Sequence, residues 1–216
     1  MVRILSRDIL EVDLDMNEPA ELAFEAGQWI SVPFGPKNVR AYSIASTPRS
    51  GGRITLCADV APGGIGSAWL RGLDVGQTVE FKAPFGGFVF RRDDPRRPLF
   101  VAEEIGIVPI RSMLADLDET GFALRATLLY WGRDLSWLPF HQEFLALARR
   151  CPGFAYHPMV VSEGAGDVGV ALDALVSDTR DLVAYVSGGG AMIDLARGVR
   201  MAKGLDRKSV RWEKFW

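Results

Sequence analysis

From residue 99 to the end, the 216-residue chain alternates apolar runs short enough for strands with runs of helical spacing. "PLFVAEE", "FALRATLLYWG", "FAYHPMVV" and "DLVAYVSGG" read as strands. "VPIRSMLADLDETG", "PFHQEFLALARR", "VALDALVSD" and "AMIDLARGVRMAKG" read as helices, and the chain closes on "KSVRWEKFW". Near-continuous apolar strands alternating with helices build a parallel sheet covered on both faces. Such an open α/β sheet offers ligands a crevice at the carboxyl ends of its strands.

The first ninety residues follow a different pattern. "RILSRDILEVDLDM", "GQWISVPF", "VRAYSIAST", "GRITLCADV" and "TVEFKAP" are β-rich runs separated by Gly, Pro and Asn. They predict an antiparallel barrel or sandwich, interrupted by one helix at "GSAWLRGL". Between the two patterns, "RRDDPRRP" is charged, holds two prolines and lacks apolar periodicity, which marks a linker. The expected organisation is an antiparallel β-barrel over residues 1–92, a linker over 93–98 and an α/β open parallel-sheet domain over 99–216.

Composition excludes several classes of function. A formal net charge of −2 carries no signature of a nucleic-acid binder. Two cysteines and two histidines cannot build a four-thiolate iron–sulfur cluster, and none of the four stands at the short spacings of zinc sites. No metal is expected. "MVRILSRDILEVDL" lacks the apolar core of a signal peptide, and no run approaches the length of a membrane span. The expected protein is cytoplasmic, with no membrane insertion.

Two constellations carry chemistry. In "RAYSIAST", Arg40, Ala41, Tyr42, Ser43 and Ser46 follow the order R-x-Y-S-x-x-S. An arginine beside an aromatic ring grips a phosphate while the ring stacks on a flat heterocycle. Taken alone, the stretch also describes an edge strand with a solvated arginine. Some twenty residues on, Gly63, Gly64 and Gly66, with Ile65 between them, let the backbone approach closely, and Ser67 opens a helix whose first amides are unpaired, a ready anion site.

At these residues the chain resembles the ferredoxin–NADP reductase superfamily, specifically the compact reductase modules found beside oxygenase-type iron–sulfur proteins. The resemblance covers nearly the whole chain and implies an FAD-binding barrel, with FAD favoured over FMN, followed by a nicotinamide-nucleotide domain. It implies that Arg40 binds the flavin diphosphate, Tyr42 stacks on the isoalloxazine and Ser43 bonds near its N5, with Ala41 and Ser46 in the same cofactor-binding stretch, while Gly63 to Ser67 make the second diphosphate contact. It further implies that Ser43, Ser187 and Glu213 line the place of hydride transfer. Trp212, Phe215 and Trp216 are candidates for the flavin face opposite Tyr42, or for packing of the last strand.

The nucleotide motifs depart from the family. Where it usually reads A-G-G-T-G-I-A-P, this chain has "AEEIGIVP", keeping Gly106 but setting Glu103 and Glu104 at glycine positions. Where it reads Y-x-C-G-P-P-x-M, this chain has "YVSGGGAM", with Ser187 at the cysteine, Gly188 kept, and Gly189 and Gly190 at the prolines. Unit charges about 4 Å apart repel by roughly 4 kcal/mol at an effective dielectric near 20. Two carboxylates facing a diphosphate would weaken binding accordingly. They could instead satisfy a helix end, or accept ribose hydroxyls. Arg133, after the strand "LLYWG", is a further nucleotide candidate.

The expectation is an FAD-dependent electron-transfer oxidoreductase that exchanges electrons with a protein partner or complex subunit, with impaired or atypical NAD(P)H binding. The alternatives are an ordinary NAD(P)H-dependent reductase and a non-catalytic reductase-fold subunit.

Overall fold

The computed structural model describes residues 1–161, 166–176 and 178–215. Six strands come first: β1 (Val2–Ser6), β2 (Ile9–Asp15), β3 (Trp29–Pro33), β4 (Val39–Ser43), β5 (Arg53–Asp59) and β6 (Lys82–Phe85), with helix α1 (Ile65–Arg71) between β5 and β6. They form two antiparallel sheets ordered β1-β2-β5 and β4-β3-β6. An antiparallel bridge from Ile44 to Leu56 ties the end of β4 to β5, so the two sheets enclose one barrel-like core of Leu10, Val12, Ile30, Ile44, Ile54 and Leu56.

The run "RILSRDILEVDLDM" is a hairpin rather than one strand, because the polar Arg7-Asp8 pair turns the chain and sets Ile4 opposite Leu10. In "TVEFKAP" the ladder begins only at Lys82. Residues 78–81 have no strand pairing.

The second half supplies β7 (Arg97–Glu103), α2 (Ile107–Glu119), β8 (Ala126–Gly132), α3 (His141–Arg150), β9 (Phe154–Val160), α4 (Gly166–Leu175), β10 (Leu182–Gly188), α5 (Gly190–Ala202) and β11 (Val210–Lys214). The five strands lie in the order β11-β10-β7-β8-β9, and every adjacent pair is parallel. All seven residues of β10 are buried, as a strand covered on both faces requires.

Helix α2 buries Ile107, Ile110, Leu114 and Leu117, a stripe of helical period against one face of the sheet. Phe144 and Leu147 of α3 join the same core. On the other face, Val168 and Leu172 of α4 pack with Met192, Ile193 and Ala196 of α5.

Two boundaries differ from expectation. Strand β7 starts at Arg97, inside the stretch read as linker, because the Arg97 amide already donates to the Asp181 carbonyl beside β10. Helix α4 starts at Gly166, ahead of its apolar run. Ser177, at the end of that run, lies outside the described residues. No helix among the described residues is long and apolar enough to cross a membrane.

Candidate functional site

Strand β4 ends with Arg40, Tyr42 and Ser43, and α1 is pressed against it. A Cβ on Gly66 would lie 2.4 Å from the Tyr42 hydroxyl oxygen and 3.4 Å from Arg40 Cγ, so glycine permits this approach. The Tyr42 and Trp69 ring centroids are 5.4 Å apart. Burial pushes the Tyr42 phenol up to about 12, with Arg40 drawing it part-way back, so the ring stays neutral.

Gly64 takes the N-cap of α1, with no side-chain cap bond and no acidic residue in the first turn. Gly63, at φ +69, supplies the left-handed bend before it. The exposed Arg40 guanidinium donates to the Val39 carbonyl at 2.8 Å, and no carboxylate pairs with it among the described residues. Helix-start amides that no side chain among the described residues caps, and a guanidinium with no carboxylate partner among them, therefore meet around one aromatic ring.

The structure corrects two readings here. Ser67 does not open the helix: Gly64 does, and Ser67 lies buried in the first turn. Ser46 is turned into the barrel, where its Oγ accepts the Thr55 amide at 3.0 Å and its carbonyl accepts the Ser112 hydroxyl at 2.6 Å. Ala41 and Ile65 are exposed neighbours of the cradle.

Ser43, Ser187 and Glu213 gather where the barrel meets the parallel sheet. Ser187 and Glu213 are register partners on β10 and β11, and the Ser43 side chain lies against the Glu213 carboxyl. Burial raises the Glu213 carboxyl to about 7, and the Ser43 hydroxyl holds it below what burial alone would give. Among the described residues Ser187 Oγ and Glu213 Oε2 are buried without hydrogen-bond partners. Buried polar atoms are rarely left unpaired, and a polar ligand edge could complete this pair.

Glu213 also lines a cleft of about 430 Å³ with Trp29, Gly86, Gly87, Phe88, Arg211 and Trp212. Sequence reasoning missed Trp29 and Arg211. Their placement follows from register, Trp29 opposite Ser43 and Arg211 opposite Tyr185, which no local pattern reveals. Phe215 packs on the core shared by α2 and the barrel, and its amide donates to the Gly188 carbonyl at 2.9 Å. Trp216 lies outside the described residues.

The crevice at the carboxyl ends of β7, β8 and β10 holds the two glutamates. Glu103 ends β7, and its Oε2 accepts the Gly189 amide at 2.8 Å, at the N-cap of α5. Glu104 starts a 3-10 turn (Glu104–Gly106) with φ 45, so the chain keeps a backbone conformation suited to glycine while carrying a carboxylate. Its carboxylate is clamped by Arg133, Nε to Oε1 and Nη2 to Oε2, both at 2.8 Å. Arg133 in turn stacks over Trp137 at 3.9 Å.

The buried Tyr130 hydroxyl donates to the Glu104 carbonyl at 3.0 Å and fixes the turn from below. Gly106 packs so closely on β10 that a Cβ there would sit 2.4 Å from the Ser187 carbonyl oxygen. Burial raises the Glu103 carboxyl above its ordinary value. The Gly189 bond opposes the rise, Glu104 adds to it and Arg133 lowers it.

The residues present fit FAD. Its diphosphate calls for a cation and free amides, its ring for a flat face, and its ring edge for polar partners. Arg40 with the uncapped start of α1, Tyr42, and the orphaned Ser187 and Glu213 atoms offer those three. Residues 2–90 match the family described as oxidoreductase FAD-binding domain.

The chain is similar to ferredoxin–NADP reductase B of Sorangium cellulosum (strain So ce56), 30% identical over 231 residues that cover 99% of this chain and 94% of that protein. It is also similar to phenol hydroxylase P5 protein of Acinetobacter pittii (strain PHEA-2), 28% identical over 225 residues, covering 99% of this chain but only 63% of that protein. Among solved structures, the Amycolatopsis cytochrome P450 reductase GcoB matches with a TM-score of 0.87 at 25% identity, over 100% of this chain and 67% of that one. Fold and cradle together define an FAD-binding oxidoreductase. The chain belongs to the ferredoxin–NADP reductase family.

Proposed function

We propose that this chain is a flavin-dependent reductase that passes electrons to a separate redox protein, and that its own carboxylates impair its nicotinamide-nucleotide crevice. In this reading residues 1–92 hold FAD and residues 99–216 form the crevice. FAD, when bound, supplies the capacity to take up an electron pair and release electrons singly. The chain's residues do the rest. Arg40 and the amides of Gly64 to Gly66 hold the diphosphate, Tyr42 backs the ring, and Ser43 and Ser187 offer hydroxyls at its edge. Glu213, with its carboxyl near 7, holds or gives up a proton at the junction of the two halves.

The partner reading draws on relatives named as oxygenase components, such as the reductase component DmpP of phenol 2-monooxygenase from Pseudomonas sp. (strain CF600), of which this chain spans 63%.

One contrast carries the impairment. Among the described residues no carboxylate bonds the donors around Tyr42, whereas Gly189 and Arg133 are each bonded to one. An anaerobic absorbance titration of the flavin-loaded protein tests it. Dithionite should bleach the visible flavin band, while NADH and NADPH at micromolar concentration leave it unchanged. Rapid bleaching by either nucleotide would overturn the impairment and leave an ordinary NAD(P)H-dependent reductase. That second reading is favoured by the close packing of Gly106 on β10, which keeps the turn compact despite the glutamates.

A further inference from the structure

The Glu103 carboxylate occupies the amide that an entering phosphate would need. Gly189 caps α5, a 13-residue helix with no acidic residue in its first turn and no side-chain cap of its own. The N-terminus of such a helix carries about half a positive charge and an amide directed at any anion in front of it. Here that anion is Glu103, reaching across from β7.

The fit is close. A Cβ on Gly188 would lie 2.7 Å from Glu103 Cβ and 2.9 Å from its Oε2, so the late glycine run gives this side chain its room. We infer that Glu103 is a latch on the nucleotide crevice, closed when the carboxylate is charged and released when it takes up a proton. The inference rests on the reading of this crevice as the nucleotide site.

The groups facing Glu103 divide the two glutamates into separate roles. Glu104, on the adjoining turn, has both oxygens on Arg133 from the end of β8, so that pair is internally neutralised. Asp59, at the end of β5, faces the same pair. On β10 and α5, Gly188 lies against Glu103 and Met192 lies against Gly188, and neither is charged. Among the described residues Glu103 makes no ion pair, and its hydrogen bond is to a backbone amide.

Once protonated, Glu103 no longer repels a diphosphate and accepts the amide only weakly, so the phosphate wins the competition. Its carboxyl, already raised by burial, reaches that state at milder acidity than an exposed glutamate.

The test is equilibrium binding of NAD⁺, whose diphosphate keeps its charge across the range, to flavin-loaded protein between about pH 8 and about pH 5.5. The flavin difference spectrum reports occupancy. Affinity of the unaltered protein should rise at least about tenfold as pH falls, toward a limit of about tenfold per unit. E103Q should bind at least about tenfold more tightly at the alkaline end and show a nearly flat profile. Glu213 titrates in the same window, and E103Q separates the two because it leaves Glu213 in place.

A flat profile in the unaltered protein, or equal affinities in it and E103Q, overturns the latch while leaving the crevice a nucleotide site. If neither these proteins nor the double variant E103G/E104G binds NAD⁺ at any pH while all retain flavin, the crevice reading itself fails, and the latch with it.

Discussion

The loops ahead of α1 and α5 are made alike, with glycines running into a helix, yet they finish in opposite states. Ahead of α1 the cap is Gly64, and among the described residues no side chain bonds its amide and no carboxylate meets the nearby Arg40. Ahead of α5 the cap amide of Gly189 is taken by Glu103, and the nearby Arg133 is taken by Glu104. A glycine loop at a helix start therefore shows where an anion could bind. Whether the place is free depends on side chains delivered from elsewhere, here from a strand end 86 residues earlier.

The largest expected effect separates the two arginines. Arg40→Ala should weaken FAD binding about 100-fold, since a charge-assisted contact to a diphosphate is worth about 1.5–3 kcal/mol. Removing Arg133 together with the carboxylate it serves, as Glu104→Gln/Arg133→Ala, should leave nucleotide affinity within about twofold, because the pair is internally neutralised. Fluorescence titration of released and rebound flavin, and nucleotide titration of the loaded protein, measure the pair. A large nucleotide loss in the Glu104→Gln/Arg133→Ala double variant would break the contrast.

The next effect lies between the two sites. Glu213 has a native carboxyl near 7 against an ordinary 4.5, so between those values the folded state binds more protons than the unfolded one. Its contribution to stability is greatest below about 4.5 and falls as pH rises through 7, by about 2 kcal/mol once residual solvent access is allowed for. Urea unfolding of the apoprotein across this range should show the slope, and Glu213→Gln should remove most of it. An unchanged slope would place the titrating group elsewhere.

The smallest effect belongs to Glu104→Gly. It relieves the left-handed backbone at φ 45, a cost of about 1–2 kcal/mol for a residue with a side chain. It also removes an ion pair to a largely exposed arginine, worth about 0–1 kcal/mol. The net change in unfolding midpoint should correspond to within about 1 kcal/mol, and a larger loss would mean that the Arg133 clamp holds the turn.

Much of this architecture was legible in the sequence because its signals are local. The alternation after residue 99 is a burial pattern, and β10, buried along its whole length, is the kind of strand that produces it. Arg40, Tyr42 and the glycines before α1 are close enough in sequence to be read as one cradle, and the structure brings Arg40, Tyr42 and Gly66 together. What stayed hidden depends on register and side-chain direction. Ser46 looked like part of the motif, yet its hydroxyl serves the Thr55 amide inside the barrel. Trp29 carries no motif and reaches the cleft only because β3 sets it opposite Ser43. The two glutamates were visible as an oddity, but their separate partners, an amide and a guanidinium, appear only once β7, β8 and α5 meet.

The barrel and the parallel sheet do not keep wholly separate interiors. Ile9, Ala26, Ala45, Cys57 and Phe88 lie in the same core as α2, and Phe88, Phe90, Phe100 and Tyr185 form a chain of ring contacts, with centroids 5.4 to 6.1 Å apart, across the boundary. Opening that boundary would wet apolar surface belonging to both halves. Calorimetry should therefore show barrel and sheet melting in one transition, and neither half could be exchanged between proteins without reworking the face it leaves behind.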